Sequence, residues 1–444
     1  MQDLLMRNPI SIAIGWIIAF LFFTLLPLLI LLLYPPPGRD FWLEFSVALG
    51  FIGLALMALQ FALTARVKSI EASYGIDIIL QFHRYTSFAA FAMVLAHPLI
   101  LFGRNPNTIQ LLNLIEAPWR ARMGVLATLA FIALVVTSIW RKQLKIRYEP
   151  WRLSHAILSV LALGLGLGHA LAVGNYLGLF WKALLWVGIA LVSLWLIVYV
   201  RLVKPWLLTK KPYLVEEVIP ERGNVWTLAL RPFGHEGFRF QPGQFAWIEI
   251  NITPFAMREH PFSLASSGEH PERLEFGIKA VGDFTSRIKD YPPGTKAYVD
   301  GPYGVFTSDR YEDSAGFVSI AGGIGITPIM SILVTAAERG DERPYLLIYA
   351  SKTWDDITYR EALDDLKERL DLKIVHVLRE PSEDWEGEKG YVDKDLIARY
   401  IPKRRGSQHY FVCASPKMMD QVEQALHDLA VPVTNVHLEH YNLA

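Results

Sequence analysis

Residues 81–97 read QFHRYTSFAAFAMVLAH, an apolar run opened by His83 and closed by His97. Residues 154–169, SHAILSVLALGLGLGH, repeat the arrangement with His155 and His169. Residues 1–205 hold no other histidine. Both spacings are 14 residues, which on an α-helix rise about 21 Å and turn about 1,400°, within about 40° of four full turns. Each pair therefore shares one helix face, with one histidine near each end of a bilayer-length helix. Ionisable residues inside a membrane are costly and mark function by default.

The surrounding composition sets these runs in a membrane. The chain has 444 residues, of which 52% are hydrophobic and 19% charged, against about 25% charged in soluble domains. Its mean hydropathy is +0.27. A stretch of about 20 apolar residues spans a bilayer, and six are expected: Ile10–Leu33, Phe45–Leu63, Ile78–Phe102, Met123–Trp140, Ser154–Val173 and Leu179–Val200. Ile10–Leu33 carries no charge and lacks a small-residue cleavage site, so it reads as an anchor rather than a signal peptide.

Net charge is zero, but it is unevenly distributed. Residues 1–205 carry 16 Lys and Arg against 7 Asp and Glu, and the remainder carries 27 against 36. The positive excess sits among the apolar runs, which argues against nucleic acid as a partner. Arg141, Lys142, Lys145, Arg147 and Arg152 crowd the loop between spans four and five, and Arg201, Lys204, Lys210 and Lys211 follow span six. The other side holds fewer: Arg39, Arg104, Arg120, Arg122 and Lys182. Both termini are therefore expected in the cytoplasm, with the chain in the plasma (cell inner) membrane. Pro205 and Lys210-Lys211-Pro212 read as the linker into the second half. Cys413 is the lone cysteine, which excludes an intrachain disulfide and a thiolate zinc or iron–sulfur site.

In this topology His83 and His155 lie near the cytoplasmic ends, and His97 and His169 near the outer ends. Two imidazoles on opposite sides of one iron describe a six-coordinate haem suited to electron transfer. Each layer offers two imidazoles and no nearby carboxylate, too few for zinc. The alternative is histidines that bond neighbouring helices or a water cavity. Gly164, Gly166 and Gly168 fit either the close approach of a flat macrocycle or ordinary helix packing.

From Tyr213 the pattern changes to short β-type runs, Trp226–Leu230, Phe245–Ile250, Leu274–Lys279 and Lys296–Val299, separated by Pro-Gly turns. These suggest an antiparallel barrel. After about residue 313, strands Gly316–Ala321, Tyr345–Ala350, Lys373–Val377 and Tyr410–Cys413 alternate with helices Ile329–Arg339, Tyr359–Leu370 and Pro416–Leu429. That is a βαβ pattern with a parallel sheet. Gly322-Gly323-Ile324-Gly325-Ile326-Thr327-Pro328 occupies the first strand-to-helix turn, where glycines admit a pyrophosphate to free N–H groups at a helix N-terminus. It departs from G-x-G-x-x-G at Pro328. Cys413, ending a buried strand, reads either as a small hydrophobe or as a thiol beside a nicotinamide ring at the sheet's carboxyl edge.

With these motifs in order, the chain resembles the transmembrane ferric reductase and NADPH oxidase superfamily over nearly its whole length. The resemblance implies a six-helix membrane α-helical bundle (1–205), an antiparallel β-barrel FAD domain (212–312) and an α/β Rossmann-like NAD(P) domain (313–444). It implies two b-type haems, with His83, His97, His155 and His169 as iron ligands. His260, Pro261, Phe262 and Ser263 match the family's FAD motif, and Gly282, Phe284 and Thr285 lie in its second FAD segment. Asp300-Gly301-Pro302-Tyr303-Gly304 is similar to the turn joining the two subdomains. Gly322, Gly323, Gly325, Thr327 and Pro328 match the nicotinamide loop. Cys413-Ala414-Ser415-Pro416 resembles the cysteine-glycine-x-proline motif, with Ala at the glycine position. Tyr441 falls where the family often carries a terminal aromatic over the flavin. Cys413, Ser263 and Tyr441 are thus expected around the reacting rings, with Cys413 and Pro416 also touching the dinucleotide.

Ser351 and Lys352, with Arg360 as a further candidate, are placed for the 2′-phosphate of NADPH, and NADH is the alternative. No calcium-loop pattern is found. The expected activity is an NAD(P)H-dependent oxidoreductase feeding electrons through FAD and two haems to an outside acceptor, a ferric chelate first and dioxygen second. Arg104, Arg120 and Arg122 are candidates for haem propionates or anionic chelates, and Arg84 for an inner propionate; ordinary juxtamembrane charge is the other reading. A non-catalytic haem-binding sensor or subunit and a merely tethered reductase are the competing classes. The lipid bilayer is the one partner the chain specifies; an oligomer or accessory subunit is left open.

Overall fold

The computed structural model describes residues 9–33 and 40–439. Tyr441, Arg39 and the Pro35–Pro37 run lie outside them. The chain divides into two compact units at Lys204/Pro205.

The first unit is helical. Its helices are α1 (Pro9–Leu33), α2 (Phe41–Thr64), the short α3 (Lys68–Tyr74), α4 (Ile76–Arg104), α5 (Trp119–Ile139), α6 (Tyr148–Val173) and α7 (Phe180–Val198). Six of them, all but α3, are long and apolar enough to cross a membrane, matching the six expected spans with ends displaced by a few residues. Helix is the form in which a lipid-embedded backbone satisfies its own polar groups. α2 runs along α4, and α5 along α6. The packed interior gathers Phe51, Leu54, Phe131, Leu134, Leu163, Leu167 and Trp186, while Ile18, Leu32, Leu99 and Leu191 face outward, as apolar side chains do in lipid.

The sixth span differs from expectation at its end. Helical backbone continues past Val200 through a π turn (Tyr199–Val203) into α8 (Lys204–Thr209). Pro205 sits within this helix rather than in a linker. A π turn shifts the hydrogen-bond register, and Pro in the first turn of a new segment has no N–H to leave unsatisfied.

The second unit opens with a six-stranded antiparallel sheet: β1 (Tyr213–Glu221), β2 (Val225–Pro232), β3 (Phe245–Ile250), β4 (His260–Ser263), β5 (Leu274–Lys279) and β6 (Lys296–Tyr303). Its order is β4-β3-β6-β1-β2-β5, and a bridge between Leu264 and Phe276 brings its two ends together. Leu228, Leu230, Ala246, Ile248, Phe276 and Ile278 fill the interior.

A parallel sheet follows, built from β7 (Phe317–Gly322), β8 (Tyr345–Ser351), β9 (Leu372–Leu378), β10 (Glu388–Lys389), β11 (His409–Cys413) and β12 (Val436–Leu438), in the order β10-β9-β8-β7-β11-β12. Helices α9 (Ile326–Arg339), α10 (Arg360–Arg369), α11 (Lys394–Tyr400) and α12 (Pro416–Asp428) connect the strands. Distinct apolar clusters cover its two faces, which is why its strands read as unbroken apolar runs. β7 lies between β8 and β11, so the order reverses there. Ligands of such sheets bind at that point, beyond the carboxyl ends of the strands.

Candidate functional site

The four membrane histidines meet in two pairs, each joining α4 to α6. The ring centres of His83 and His155 are 6.4 Å apart with planes at 59°. Those of His97 and His169 are 6.4 Å apart at 64°. A metal–imidazole bond of about 2 Å, with about 1.1 Å more from nitrogen to ring centre, puts two rings on opposite sides of one ion about 6.3 Å apart. The two pairs fit an iron held between trans imidazoles.

Hydrogen bonds engage Nδ1 on three of the four rings. His169 Nδ1 lies 2.8 Å from the Arg120 carbonyl, and His97 Nδ1 lies 3.0 Å from the Ser46 carbonyl. A carbonyl only accepts, so each Nδ1 carries the proton and Nε2 is the lone-pair nitrogen. His155 Nδ1 sits 3.1 Å from Ser138 Oγ, whose own proton goes to the Leu134 carbonyl. His83 Nδ1 is buried without a partner. Among the described residues no cluster of three or more His, Cys, Asp or Glu gathers.

Of the two readings of the span-five glycines, packing is the one two of them take. Gly166 makes room for Leu54, and Gly168 for Met123, so both serve helix packing. The glycines that approach the histidines are Gly50 on α2, beside His97, and Gly124 on α5, beside His169. Sequence reading passed over them because their partners lie on other helices. Two outer arginines are also engaged elsewhere. Arg104 pairs with Asp40, and Arg122 donates to the Ala117 and Ile115 carbonyls, bracing its own loop.

In the second unit, β4 brings His260 onto Phe284, ring centres 4.0 Å apart and nearly parallel, with Phe262 stacked 6.0 Å from Phe284. Ser263 is buried at the end of β4, opposite Phe245. The Val281 and Gly282 amides both donate to Thr285 Oγ1, at 3.0 and 2.9 Å. Thr285 Oγ1 in turn donates to the Gly282 carbonyl at 3.2 Å, so the turn is braced internally beside an aromatic surface of the kind a flavin stacks on.

Across the parallel sheet, Cys413 lies opposite Ala321 and is fully buried. The glycine loop closes over this strand end. A Cβ at Gly325 would strike the Cys413 carbonyl, and one at Gly322 would meet the Ala414 methyl at 2.8 Å. Gly322 thus absorbs the methyl that Ala414 adds to the motif. Thr327 Oγ1 donates to the Ile324 carbonyl at 2.9 Å, and Pro416 occupies the first turn of α12, where a missing N–H costs nothing. Facing the loop, Gly277 on β5 leaves space for Thr327 and the Tyr359 hydroxyl. Burial pushes the Tyr359 phenol up, so it stays protonated beside Thr227, 3.3 Å away.

At the end of β8, Ser351 is buried and Lys352 pairs with Glu380 at 3.3 Å, both exposed. Arg360 lies over the Trp354 ring, 4.7 Å away, and reaches Glu361 at 3.5 Å. Both candidate phosphate cations thus have acidic neighbours.

Three domain families match in order along the chain: a ferric reductase like transmembrane component at 49–166, an FAD-binding domain at 217–307 and an oxidoreductase NAD-binding domain at 320–424. The chain has the ferric reductase and NADPH oxidase architecture. Its reductase half is 27% identical over 216 residues to a component of the 1,2-phenylacetyl-CoA epoxidase of Escherichia coli, covering 47% of this chain and 60% of that protein. It is 27% identical to ferredoxin--NADP reductase B of Sorangium cellulosum, covering 47% of this chain and 87% of that one. NADH-cytochrome b5 reductase 1 of Pyricularia oryzae is 31% identical over 36% of this chain and 53% of its own length. Of the solved structures, flavohemoglobin from Malassezia yamatoensis aligns over 90% of this chain and 97% of its own, at 14% identity and TM-score 0.49.

Proposed function

We propose that this oxidoreductase passes electrons from NAD(P)H across the membrane to an acceptor outside, most simply a ferric chelate. The two histidine pairs carry the reading: one at each end of the same two helices, each with ring centres 6.4 Å apart. His83 with His155 would hold an inner b haem, and His97 with His169 an outer one. Gly282, Phe284, Thr285 and the His260–Ser263 strand would hold FAD, and the Gly322–Pro328 loop with Ser351 and Lys352 would hold the nicotinamide dinucleotide. When bound, the flavin divides a hydride's electron pair and the haems carry single electrons.

The protein's own part is orientation and insulation. Gly325 lets the dinucleotide loop close on the Cys413 main chain, and the Cys413 thiol would lie beside a bound nicotinamide. Ser263, at a buried strand end, would meet the flavin. With two imidazoles per site, a bound haem would have its iron held by the protein alone, with no position left for an acceptor. A chelate or dioxygen would therefore receive its electron at the edge of the outer site.

The test uses the full chain in lipid nanodiscs with haem and FAD, measuring superoxide and ferrous iron formed per NADPH in air, with and without a ferric chelate. Ferrous iron at about two per NADPH, with little superoxide, is the expected result. About two superoxides per NADPH, unmoved by the chelate, would assign dioxygen instead. No NADPH consumption would overturn the outward path.

A further inference from the structure

The two outer histidines share a device that the inner two lack. Ser46 and Gly50 are four residues apart on α2, and Arg120 and Gly124 four apart on α5. In an α-helix the carbonyl of residue i accepts from the amide of residue i+4 and is flanked by the side chain at that position. With glycine there, the carbonyl is open from the side. His97 uses one such opening: its ring would lie 3.3 Å from a Cβ at Gly50, and its Nδ1 is 3.0 Å from the Ser46 carbonyl, with Ser46 Oγ also at 3.0 Å. Ser46 Oγ returns a bond to the His97 carbonyl at 2.9 Å, locking the two helices in register. His169 uses the other: its Nδ1 would lie 2.9 Å from a Cβ at Gly124 and is 2.8 Å from the Arg120 carbonyl. The inner histidines have a hydroxyl at His155 and nothing at His83.

We propose that Gly50 and Gly124 are positioning residues of the outer haem site, which bare two main-chain carbonyls so that both outer ligands donate Nδ1–H and the outer haem is held at a lower potential. An imidazole whose second nitrogen donates to a carbonyl is a stronger electron donor to its metal, and a more electron-rich axial ligand favours ferric over ferrous iron. The lever is absent at His83 and weak at His155, so it acts chiefly on the outer layer of the membrane. The inference rests on the haem reading of the four histidines.

The test is a redox titration of the full chain in nanodiscs, followed by haem absorbance and by the low-spin ferric signal in electron paramagnetic resonance. Gly124→Ala is expected to move one haem component to higher potential and alter its ferric signal. Gly50→Ala, where the approach is looser, is expected to move the same component by less. Ser138→Ala is expected to move the other component. Gly15→Ala, whose added methyl meets nothing within 4 Å on an exposed stretch of α1, leaves both in place. Bound haem whose potentials ignore both glycine variants, or fall, would overturn the proposal. Should Gly124→Ala not accumulate, Gly50→Ala carries the test alone. A wild-type chain without haem absorbance would overturn the haem reading itself, an outcome distinct from unmoved potentials.

Discussion

A histidine can offer a metal one nitrogen only when the other is accounted for, so the second nitrogen is where single-residue changes can be argued. His97→Leu removes an outer ligand and its link to Ser46. Haem content is expected to fall from two per flavin to one, with outward reduction lost and NAD(P)H-driven bleaching of the flavin retained. Full haem content in that variant would sink the pairing. At the dinucleotide end, Glu380 competes for Lys352 with any 2′-phosphate. Exposed pairs are worth about 0.2–1 kcal/mol, so Glu380→Gln is expected to lower the NADPH KM about 1.4- to fivefold and leave NADH unchanged, as steady-state kinetics with both cofactors would show. The pairing of the histidines was readable because their spacing along one segment betrays it. Gly50, Gly124, Ser46, Ser138 and Glu380 were not, since each acts on a residue distant in the chain.

Between elements, contact depends on which face of a helix is polar, and α9 shows how. It starts at Ile326, three residues before the expected Ile329, because Gly323–Gly325 form a single 3-10 turn that leads straight into it. Ser331, Thr335 and Glu338 recur at helical spacing and face the turn after β4. Ser331 Oγ donates to the Ser266 carbonyl at 2.7 Å, Thr335 Oγ1 accepts from the Gly268 amide at 2.9 Å, and Glu338 accepts from Ser267. One helix thereby fixes the dinucleotide loop against the flavin barrel. Ser331 and Thr335 are fully buried, so Ser331→Ala strands the Ser266 carbonyl and is expected to cost about 1–3 kcal/mol. A thermal melt of the full chain checks this, and no change would mean that water replaces the bond. The alternation of strand and helix was plain in the sequence because burial of both sheet faces writes long apolar runs. β1, β4, β10, β12 and α11 were missed: Glu216, Glu217 and Glu221 lend β1 a loop-like polarity, β4, β10 and β12 are four, two and three residues long, and α11 has seven.

For the molecule as a whole, charge decides both pH response and direction of flow. Burial, then the neighbouring His409, presses the His437 imidazole down to about 3, and burial presses His376 down to about 4. Unfolded, both take up protons near 6.5. The unfolded chain therefore binds more protons below that value, so stability is full above about pH 6.5 and is lost progressively towards pH 4. At pH 5 His437 alone accounts for about 2 kcal/mol, and His437→Phe is expected to flatten that part of the melting profile. The uneven charge bears on direction. Lys and Arg crowd the loop between α5 and α6 and the end of the last span, and the bias that orients membrane helices predicts the reductase unit on the cytoplasmic side. Electrons leaving outward then cross the membrane field, and each is worth about 2.3 kcal/mol per 100 mV. In proteoliposomes, NADPH added outside reaches only molecules whose reductase unit faces the medium, and a ferric chelate sealed inside reports electrons that have crossed. A potassium gradient with valinomycin that makes the lumen positive by 100 mV is expected to speed lumenal reduction, up to about sevenfold where half the field falls across the limiting step. Reversing the gradient should slow it, and His97→Leu should abolish it while NADPH still reduces the flavin. Lumenal reduction indifferent to the sign of the voltage would mean that the limiting step lies outside the field, and lumenal reduction that survives in His97→Leu would remove the outer pair from the path.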